Sequence, residues 1–400
     1  MSTVLEKLAR SMIYLLLYTL IFFACLLVLP RSARADGGAP NLAYVAGADA
    51  GISVVDVAAA KVAKTIALSG DPHTILLSLN GRFLYVTQPH LDQVSIIEAR
   101  TGKSFCSAHI LGAPTFLAWD QSTTLYVAGN RATSVSAIDT TNCTIKQTYQ
   151  IDTLVNGLTL AGPQLGLPTN STMQLWVAGT TALTIFDINT GKIIDHITIA
   201  GGPQYLTAPP GVIIYATTRQ GSVVAVDFQR RAVHVLLSGG TYGPMDYDAL
   251  TGQIYVPDQK NKWLAVLSPL DPASAVVPRE PERVLRTDGV PVSVAITNDG
   301  LIGFVALQDG RIVMYDLLAR LVAYTLQVGG HPHFIITGLY PPEPGVATKP
   351  TPTSTINALW SALPAWATVG IVVVYFVALL ALVILLVRLL RGAFATRHLK

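Results

Sequence analysis

The sequence predicts an all-β fold, a seven-bladed β-propeller made of four-stranded blades. A short phrase centred on a tyrosine recurs at a spacing of 41 residues, at Tyr44, Tyr85 and Tyr126. Between these points lie short segments of alternating polar and apolar residues bounded by turn residues, the pattern of half-buried strands. A repeat period in this range is typical of propellers, in which each repeat forms one blade.

One aromatic residue marks the same strand in each of seven units. The seven are Tyr44, Tyr85, Tyr126, Trp176, Tyr215, Tyr255 and Phe304. The intervals between them are 39 to 41 residues, except for two of 50 and 49 residues. The two long intervals indicate loop insertions, which we place at 162–173 and 269–288.

Two further markers recur in step with the aromatic residue. An acidic residue ends the strand that follows it in six units: Asp56, Glu98, Asp139, Asp187, Asp227 and Asp316. A proline or Asn-Gly turn opens another strand in all seven: Pro72, Pro114, Asn156, Pro203, Pro244, Pro291 and Pro332. Hairpin signals such as Asn80-Gly81 connect that strand to the next aromatic one. Each unit therefore holds four strands, and we interpret the acidic residues as turn hydrogen bonders, not as general acids or bases.

The order of strands at the two ends predicts how the ring closes. The chain enters at an aromatic strand, which is the second strand of a blade, and the last repeat segment, 332–337, is a first strand with no successor. It can complete only the blade that residues 42–68 begin. This pairing would tie the two ends together and leave no unpaired strand edge at the seam.

The repeated phrases carry a resemblance to a known family. Tyr44-Val45-Ala46-Gly47, Tyr85-Val86-Thr87-Gln88 and Tyr126-Val127-Ala128-Gly129, each followed by an alternating strand, resemble the YVTN repeats of surface-layer-type β-propellers. The resemblance covers residues 41–338, and units four to seven depart from its wording. It implies a propeller at 41–338 and, by analogy, a role at the cell surface.

The N-terminal residues 1–35 have the composition of an export signal. Lys7 and Arg10 precede an apolar run at 12–29, and Ala33-Arg34-Ala35 places small residues where a signal peptidase cleaves. We predict cleavage before Asp36. An uncleaved signal anchor stays open, because the apolar run is long for a signal peptide.

The C-terminal part predicts a membrane anchor. Residues 339–363 are rich in proline and threonine and form a semi-rigid stalk, and residues 364–388 are an apolar span long enough to cross a bilayer. A short basic tail follows at 389–400, and positive charge after the span places the C-terminus in the cytoplasm. We therefore predict a single-pass cell-membrane protein whose propeller is extracytoplasmic.

The charge distribution excludes a nucleic-acid partner. The formal net charge is +3, but residues 36–363 hold 19 Lys and Arg against 23 Asp and Glu. The basic excess lies at the termini, where it reports membrane topology.

The cysteine positions do not decide whether the chain has a disulfide. A Cys106–Cys143 disulfide would require outer strands of neighbouring blades to meet, so we favour unpaired cysteines and leave the pairing open.

The strand order assigns loops to two faces of the ring. Turns between strands one and two and between three and four share one face with both insertions and both chain ends, and we name it the proximal face. The opposite, distal face carries the remaining connections. Four histidines map there, and with nearby residues they form a candidate ligand site at the channel mouth: His73, His90, His331 and His333, with Gln204, Tyr205, Met245 and Asp246 as further lining. The alternative is that these are ordinary polar turn residues without a ligand.

The function predicted from these patterns is binding or scaffolding of an unknown protein or cell-envelope ligand. The sequence has no nucleophile elbow, phosphate loop, Cys-x-x-Cys or His-Glu-x-x-His motif, and we predict no cofactor. The alternative is a channel-mouth hydrolase or lyase of lactonase type that uses a metal at the distal face. Few acidic residues follow the opening prolines, so a calcium or magnesium site is poorly supplied, and His73, His331, His333 and Asp246 are the candidate ligands for a transition metal.

Overall fold

A computed structural model describes residues 42–162, 172–274 and 276–338 of the chain. In these ranges, 28 strands form seven four-stranded antiparallel sheets, each of them one blade. The first strands of most neighbouring blades contact one another around the central channel. The predicted seven-bladed, four-stranded propeller is therefore confirmed.

The first four blades each contain four strands, named from the innermost strand outward. Blade 1 contains β28 (Phe334–Gly338), β1 (Leu42–Ala48), β2 (Gly51–Asp56) and β3 (Lys61–Ala67). Blade 2 contains β4 (Ile75–Leu77), β5 (Phe83–Gln88), β6 (Gln93–Glu98) and β7 (Ser104–His109). Blade 3 contains β8 (Pro114–Trp119), β9 (Thr124–Gly129), β10 (Ser134–Asp139) and β11 (Ile145–Gln150). Blade 4 contains β12 (Gly157–Ala161), β13 (Gln174–Ala178), β14 (Ala182–Asp187) and β15 (Ile193–Thr198).

The remaining three blades follow the same order. Blade 5 contains β16 (Pro203–Thr207), β17 (Ile213–Thr218), β18 (Ser222–Asp227) and β19 (Val233–Ser238). Blade 6 contains β20 (Asp246–Tyr247), β21 (Ile254–Asp258), β22 (Trp263–Leu267) and β23 (Arg283–Arg286). Blade 7 contains β24 (Pro291–Ile296), β25 (Ile302–Leu307), β26 (Arg311–Asp316) and β27 (Leu321–Gln327).

The seam lies where the last strand joins the first. β28 pairs with β1 in antiparallel register, with Tyr44 opposite Ile336 and Ala43 opposite Thr337. β28 also packs against β24 of blade 7 and β4 of blade 2. The predicted ring closure by the C-terminal strand is therefore confirmed, and the innermost strand of blade 1 has no free edge at the seam.

The aromatic marker of each repeat is a packing residue. Tyr44, Trp176 and Phe304 are fully buried, because the second strand of a blade is covered on both faces by the neighbouring blades. Several of the outermost strands instead alternate between exposed and more buried residues. In β11, for example, Tyr149 is buried while the residues on either side of it are exposed or partly exposed. The core thus lies between blades, in seven apolar clusters.

The recurring acidic residues hold the turns between the third and fourth strands. Asp139 accepts hydrogen bonds from the backbone N–H and the hydroxyl of Thr141. Asp187 and Asp227 likewise accept backbone N–H groups two and three residues ahead. Bonding to Thr141, followed by Lys146, lowers the pKa of Asp139 to about 2. These contacts agree with the predicted turn role.

Both insertions occupy the predicted connections. One joins β12 to β13, the first and second strands of blade 4, and the other joins β22 to β23, the third and fourth strands of blade 6. Antiparallel order puts both connections on the face where β1 begins and β28 ends. The structure thus agrees with the predicted division into proximal and distal faces.

The cysteine prediction was wrong. Cys106 and Cys143 form a disulfide with a Cα–Cα distance of 5.9 Å. Cys106 lies in β7, the outer strand of blade 2, and Cys143 lies in the turn before β11 of blade 3. A left-handed backbone conformation at Cys143, with a φ of 59°, accompanies this approach. The bond therefore joins two neighbouring blades at their rims.

The predicted export signal (1–35), stalk (339–363), membrane span (364–388) and basic tail (389–400) lie outside the described residues. Within the described ranges, no helix combines the length and hydropathy required to cross a bilayer.

Candidate functional site

Two of the predicted histidines meet at the seam. His333 precedes β28 and His73 precedes β4, so closure of the ring brings them together on the distal face. Their rings stack with a centroid distance of 4.8 Å and an interplanar angle of 13°. The backbone fixes both positions, because the N–H of His73 donates to the carbonyl of Thr87 and the N–H of His333 donates to the carbonyl of Ala46.

A glycine makes this approach possible. Gly47 has a φ of +84°, a conformation that side chains rarely adopt. A Cβ atom at Gly47 would overlap the carbonyl oxygen of His331 and crowd the ring of His333. The glycine of the first Tyr-Val-Ala-Gly phrase is therefore required by the histidine segment that crosses it.

Asp71 connects a third predicted histidine, His90, to the pair. His333 Nε2 lies 3.1 Å from Asp71 Oδ1, and His90 Nε2 lies 3.8 Å from Asp71 Oδ2. The sequence prediction missed Asp71, although its place next to Pro72 and His73 was a usable signal. We name Asp71, His73, His90 and His333 the distal cluster.

His73 is neutral at neutral pH. Burial, followed by the neighbouring His333, lowers its pKa from 6.5 to about 4, against the opposing effect of Asp71. Its Nδ1 lies 3.1 Å from the hydroxyl of Thr74, and that hydroxyl donates its proton to the carbonyl of Thr115 at 2.5 Å. Thr74 therefore accepts from His73, which puts the proton on Nδ1 and leaves Nε2 as a hydrogen-bond acceptor.

A small cavity of about 90 Å³ opens beside this ring. Its lining includes His73, Thr74, Phe116, Tyr205, Met245 and Phe334. Phe116, Tyr205, Phe334 and the ring of His73 thus line a space the size of a single side chain. We name it the distal pocket.

The other predicted site residues are dispersed. Tyr205 and Met245 line the distal pocket, but Gln204 does not. His331 is exposed, and its N–H donates to the carbonyl of Gly47. Asp246 lies apart from the histidines and lines a second, larger cavity.

This second cavity has a volume of about 260 Å³ and occupies the proximal half of the channel. Met245 and Phe334 line both cavities, so the two meet at these residues. Asp246 accepts a hydrogen bond from the N–H of Ile296 at 2.7 Å, and burial raises the pKa of its carboxyl group to about 6. We name this space the proximal cavity.

Neither cavity provides a ready metal site. Over the described ranges, no group of three or more His, Cys, Asp or Glu side chains has a geometry suited to a metal ion. The proposed transition-metal ligands His73 and Asp246 line different cavities.

No family model matches the chain, and no curated protein matches it. Solved structures do. Hydrazine synthase of Kuenenia stuttgartiensis aligns over 68% of this chain and 91% of its own, with 16% identity and a TM-score of 0.52. A dihydro-heme d1 dehydrogenase aligns over 78% of each chain, with 14% identity and a TM-score of 0.55. A Bacteroides uniformis protein with a provisional 6-phosphogluconolactonase assignment aligns over 74% of this chain and 98% of its own, with 16% identity and a TM-score of 0.58.

The chain is a seven-bladed β-propeller. At these identities the similarity to solved structures shows the fold alone and carries no activity with it. The resemblance to YVTN repeats stays a prediction, because no family model matches.

The buried His73 predicts an acid-dependent loss of stability. Because the folded-state pKa of about 4 lies below the ordinary 6.5, the unfolded chain binds the proton more tightly between these pH values. The stability that neutral His73 contributes to the folded state is fully present above pH 6.5. It is lost as the pH falls towards 4, and the free energy of unfolding then falls by up to about 3 kcal/mol. Replacing His73 with Asn should remove this part of the pH dependence in urea unfolding. His109→Asn on an exposed position of β7 is the control, and identical pH curves for wild type and His73→Asn would contradict the assignment.

Proposed function

We propose that this chain is a membrane-anchored, extracytoplasmic binding or scaffolding module that presents its distal face to a protein or cell-envelope ligand. The distal pocket carries the proposal. At about 90 Å³ it is smaller than the roughly 300 Å³ or more of typical small-molecule sites. It fits one anchoring group of a larger ligand. Because Nε2 of His73 is a hydrogen-bond acceptor, this group should be a hydrogen-bond donor.

The disulfide supports the extracytoplasmic part of the proposal. Cys106–Cys143 joins two blades, and structural disulfides persist in oxidising compartments and are rare in the cytosol. The sequence patterns at 1–35 and 364–388 support export and anchoring.

The positions where the chain enters and leaves the ring support ligand binding at the distal face. β1 begins and β28 ends on the proximal face. The chain therefore leaves the ring on the face opposite the distal pocket, so the predicted anchor would be attached away from that pocket. Loops on a rigid ring are common recognition surfaces.

Site-specific photo-crosslinking in intact cells tests this proposal. A photoreactive amino acid at His331, exposed on the distal face, should give covalent adducts with the partner. The matched control is Thr190, which is exposed in the turn before β15 on the proximal face. Adducts from position 331 should weaken when His73 is also changed to Ala. Equal adduct yields from the two faces, or an adduct yield at position 331 that His73→Ala does not change, would contradict the proposal.

A second candidate function is a channel enzyme of lactonase type, and Asp246 is the observation that favours it. A carboxyl group with a pKa of about 6 suits a general acid or base. Metal analysis of the purified chain separates the two candidates. A stoichiometric divalent ion that is lost in Asp246→Ala or His333→Ala would support the enzyme, whereas an ion content unaffected by both substitutions would count against it.

A further inference from the structure

The proximal cavity has one charged group in an otherwise neutral wall. Leu76, Val294 and Ile336 are among its apolar lining residues. The polar side chains of the lining are those of Asp246, Tyr247, Asn298 and Thr337. The lining contains no Lys, Arg or His. Among the described residues, Asp246 forms no ion pair.

The backbone contacts of Asp246 do not account for its charge. The carboxylate accepts from the N–H of Ile296 and from the backbone of Tyr247. The carbonyl oxygen of an asparagine could accept such bonds without placing a charge in the channel. Ionised carboxylates in protein interiors normally have a cationic partner. Here the partner is missing from the surrounding protein.

We propose that the proximal cavity binds a small organic cation, an ammonium group on a hydrocarbon body, with Asp246 as its counter-ion. The carboxylate provides the charge, and Tyr247 and Phe334 add aromatic residues of the kind that favour ammonium groups. The apolar remainder of the wall excludes a hydrated inorganic ion as the best occupant and favours a ligand with a hydrocarbon part.

The size of the cavity sets the size of the ligand. A dry cavity of about 150 Å³ holds a benzene molecule, so about 260 Å³ holds a phenyl ring with a short aminoalkyl chain. The ligand enters from the proximal face, because Ala249 and Asn298 lie in the turns between the first and second strands of blades 6 and 7. The proposal does not rest on the function proposed for the distal pocket, although the two cavities share Met245 and Phe334.

Titration calorimetry of the purified full-length chain with three matched probes tests the proposal. The probes are 2-phenylethylammonium, the neutral 2-phenylethanol and the anionic 3-phenylpropanoate. At pH 7.5 the ammonium probe should bind at least tenfold more tightly than the alcohol, and the anion should not bind. Asp246→Asn should remove the preference for the ammonium probe without lowering the melting temperature. His109→Ala, at an exposed position of β7, should leave the affinity unchanged.

The pH dependence of the wild-type protein gives a test that needs no substitution. Because a carboxyl group with a pKa of about 6 is mostly protonated at pH 5, the affinity for the ammonium probe should fall about tenfold between pH 7.5 and pH 5. An alcohol that binds as tightly as the ammonium probe, an affinity unchanged at pH 5, or no heat from the ammonium probe at millimolar concentration would each overturn the proposal.

Discussion

Replacing Ile335 with aspartate is expected to open the ring and to lower the free energy of unfolding by more than about 4 kcal/mol. Ile335 is the residue of β28 that lies opposite Val45 of β1, and only 1% of it is exposed. It packs in the cluster that joins blade 1 to blade 7, together with Val55 and Phe304. A carboxylate at this position would have no partner, so the closing strand would be displaced.

Urea unfolding of the purified chain measures this effect, with the intrinsic fluorescence of the tryptophans as the signal. The matched control is Leu318→Asp, because Leu318 is 75% exposed in the turn between β26 and β27. The control should change the unfolding free energy by less than about 0.5 kcal/mol. An Ile335→Asp protein as stable as the control would show that β28 is not needed to close the ring.

Removing the Cys106–Cys143 disulfide is expected to cost about 2–4 kcal/mol of unfolding free energy. The bond closes a loop with a sequence separation of 37 residues, and its loss increases the conformational freedom of the unfolded chain. It also releases the contact between the rims of blades 2 and 3, where Cys143 is buried.

The double substitution Cys106→Ala with Cys143→Ala tests this prediction in thermal and urea unfolding. Reductant should lower the wild-type stability to that of the double variant and leave the variant unchanged. A thiol count should first show that the reductant has opened the disulfide. If the stability of this reduced wild-type protein is unchanged, the bond contributes nothing and the prediction is wrong.

The blade count was predictable from the sequence because its markers recur in every repeat. The seam was predictable from the order of strands at the two ends of the repeat region. Tyr44 and its counterparts recur at one strand position, and the alternation of polar and apolar residues has the period of a strand. Glycine and proline then mark the turns. These are local signals, and the fold follows from adding them around the ring.

The sites were less predictable because they depend on side-chain register between blades. Asp246 lies opposite the aromatic marker Tyr255, as Thr207 lies opposite Tyr215. Asp246 is therefore one level deeper in the channel than Tyr205, although both stand two residues after the opening proline. In blades 3, 5 and 7 the residue opposite the aromatic marker stands four residues after the opening proline, whereas in blade 6 it stands two residues after Pro244. The repeat pattern does not reveal this shift.

The disulfide and Asp71 were missed for a related reason. Repeat phase gives the height of a residue on its blade but not how far a turn leans towards the neighbouring blade. Cys143 and Asp71 both adopt left-handed backbone conformations, which direct them to partners in other blades or other turns. Such conformations are set by tertiary contacts more than by local sequence.

Cross-linking across the seam tests the central claim most directly. Ala43 and Thr337 lie opposite each other in the β1–β28 pair, so the double substitution Ala43→Cys with Thr337→Cys should form a disulfide on mild oxidation. Ala43→Cys with Ile336→Cys is one residue out of register, with side chains on opposite faces of the sheet, and should not. Peptide mapping should find residue 43 joined to residue 337. Free thiols at 43 and 337, or equal cross-linking of the two pairs, would contradict a ring closed by its own C-terminal strand.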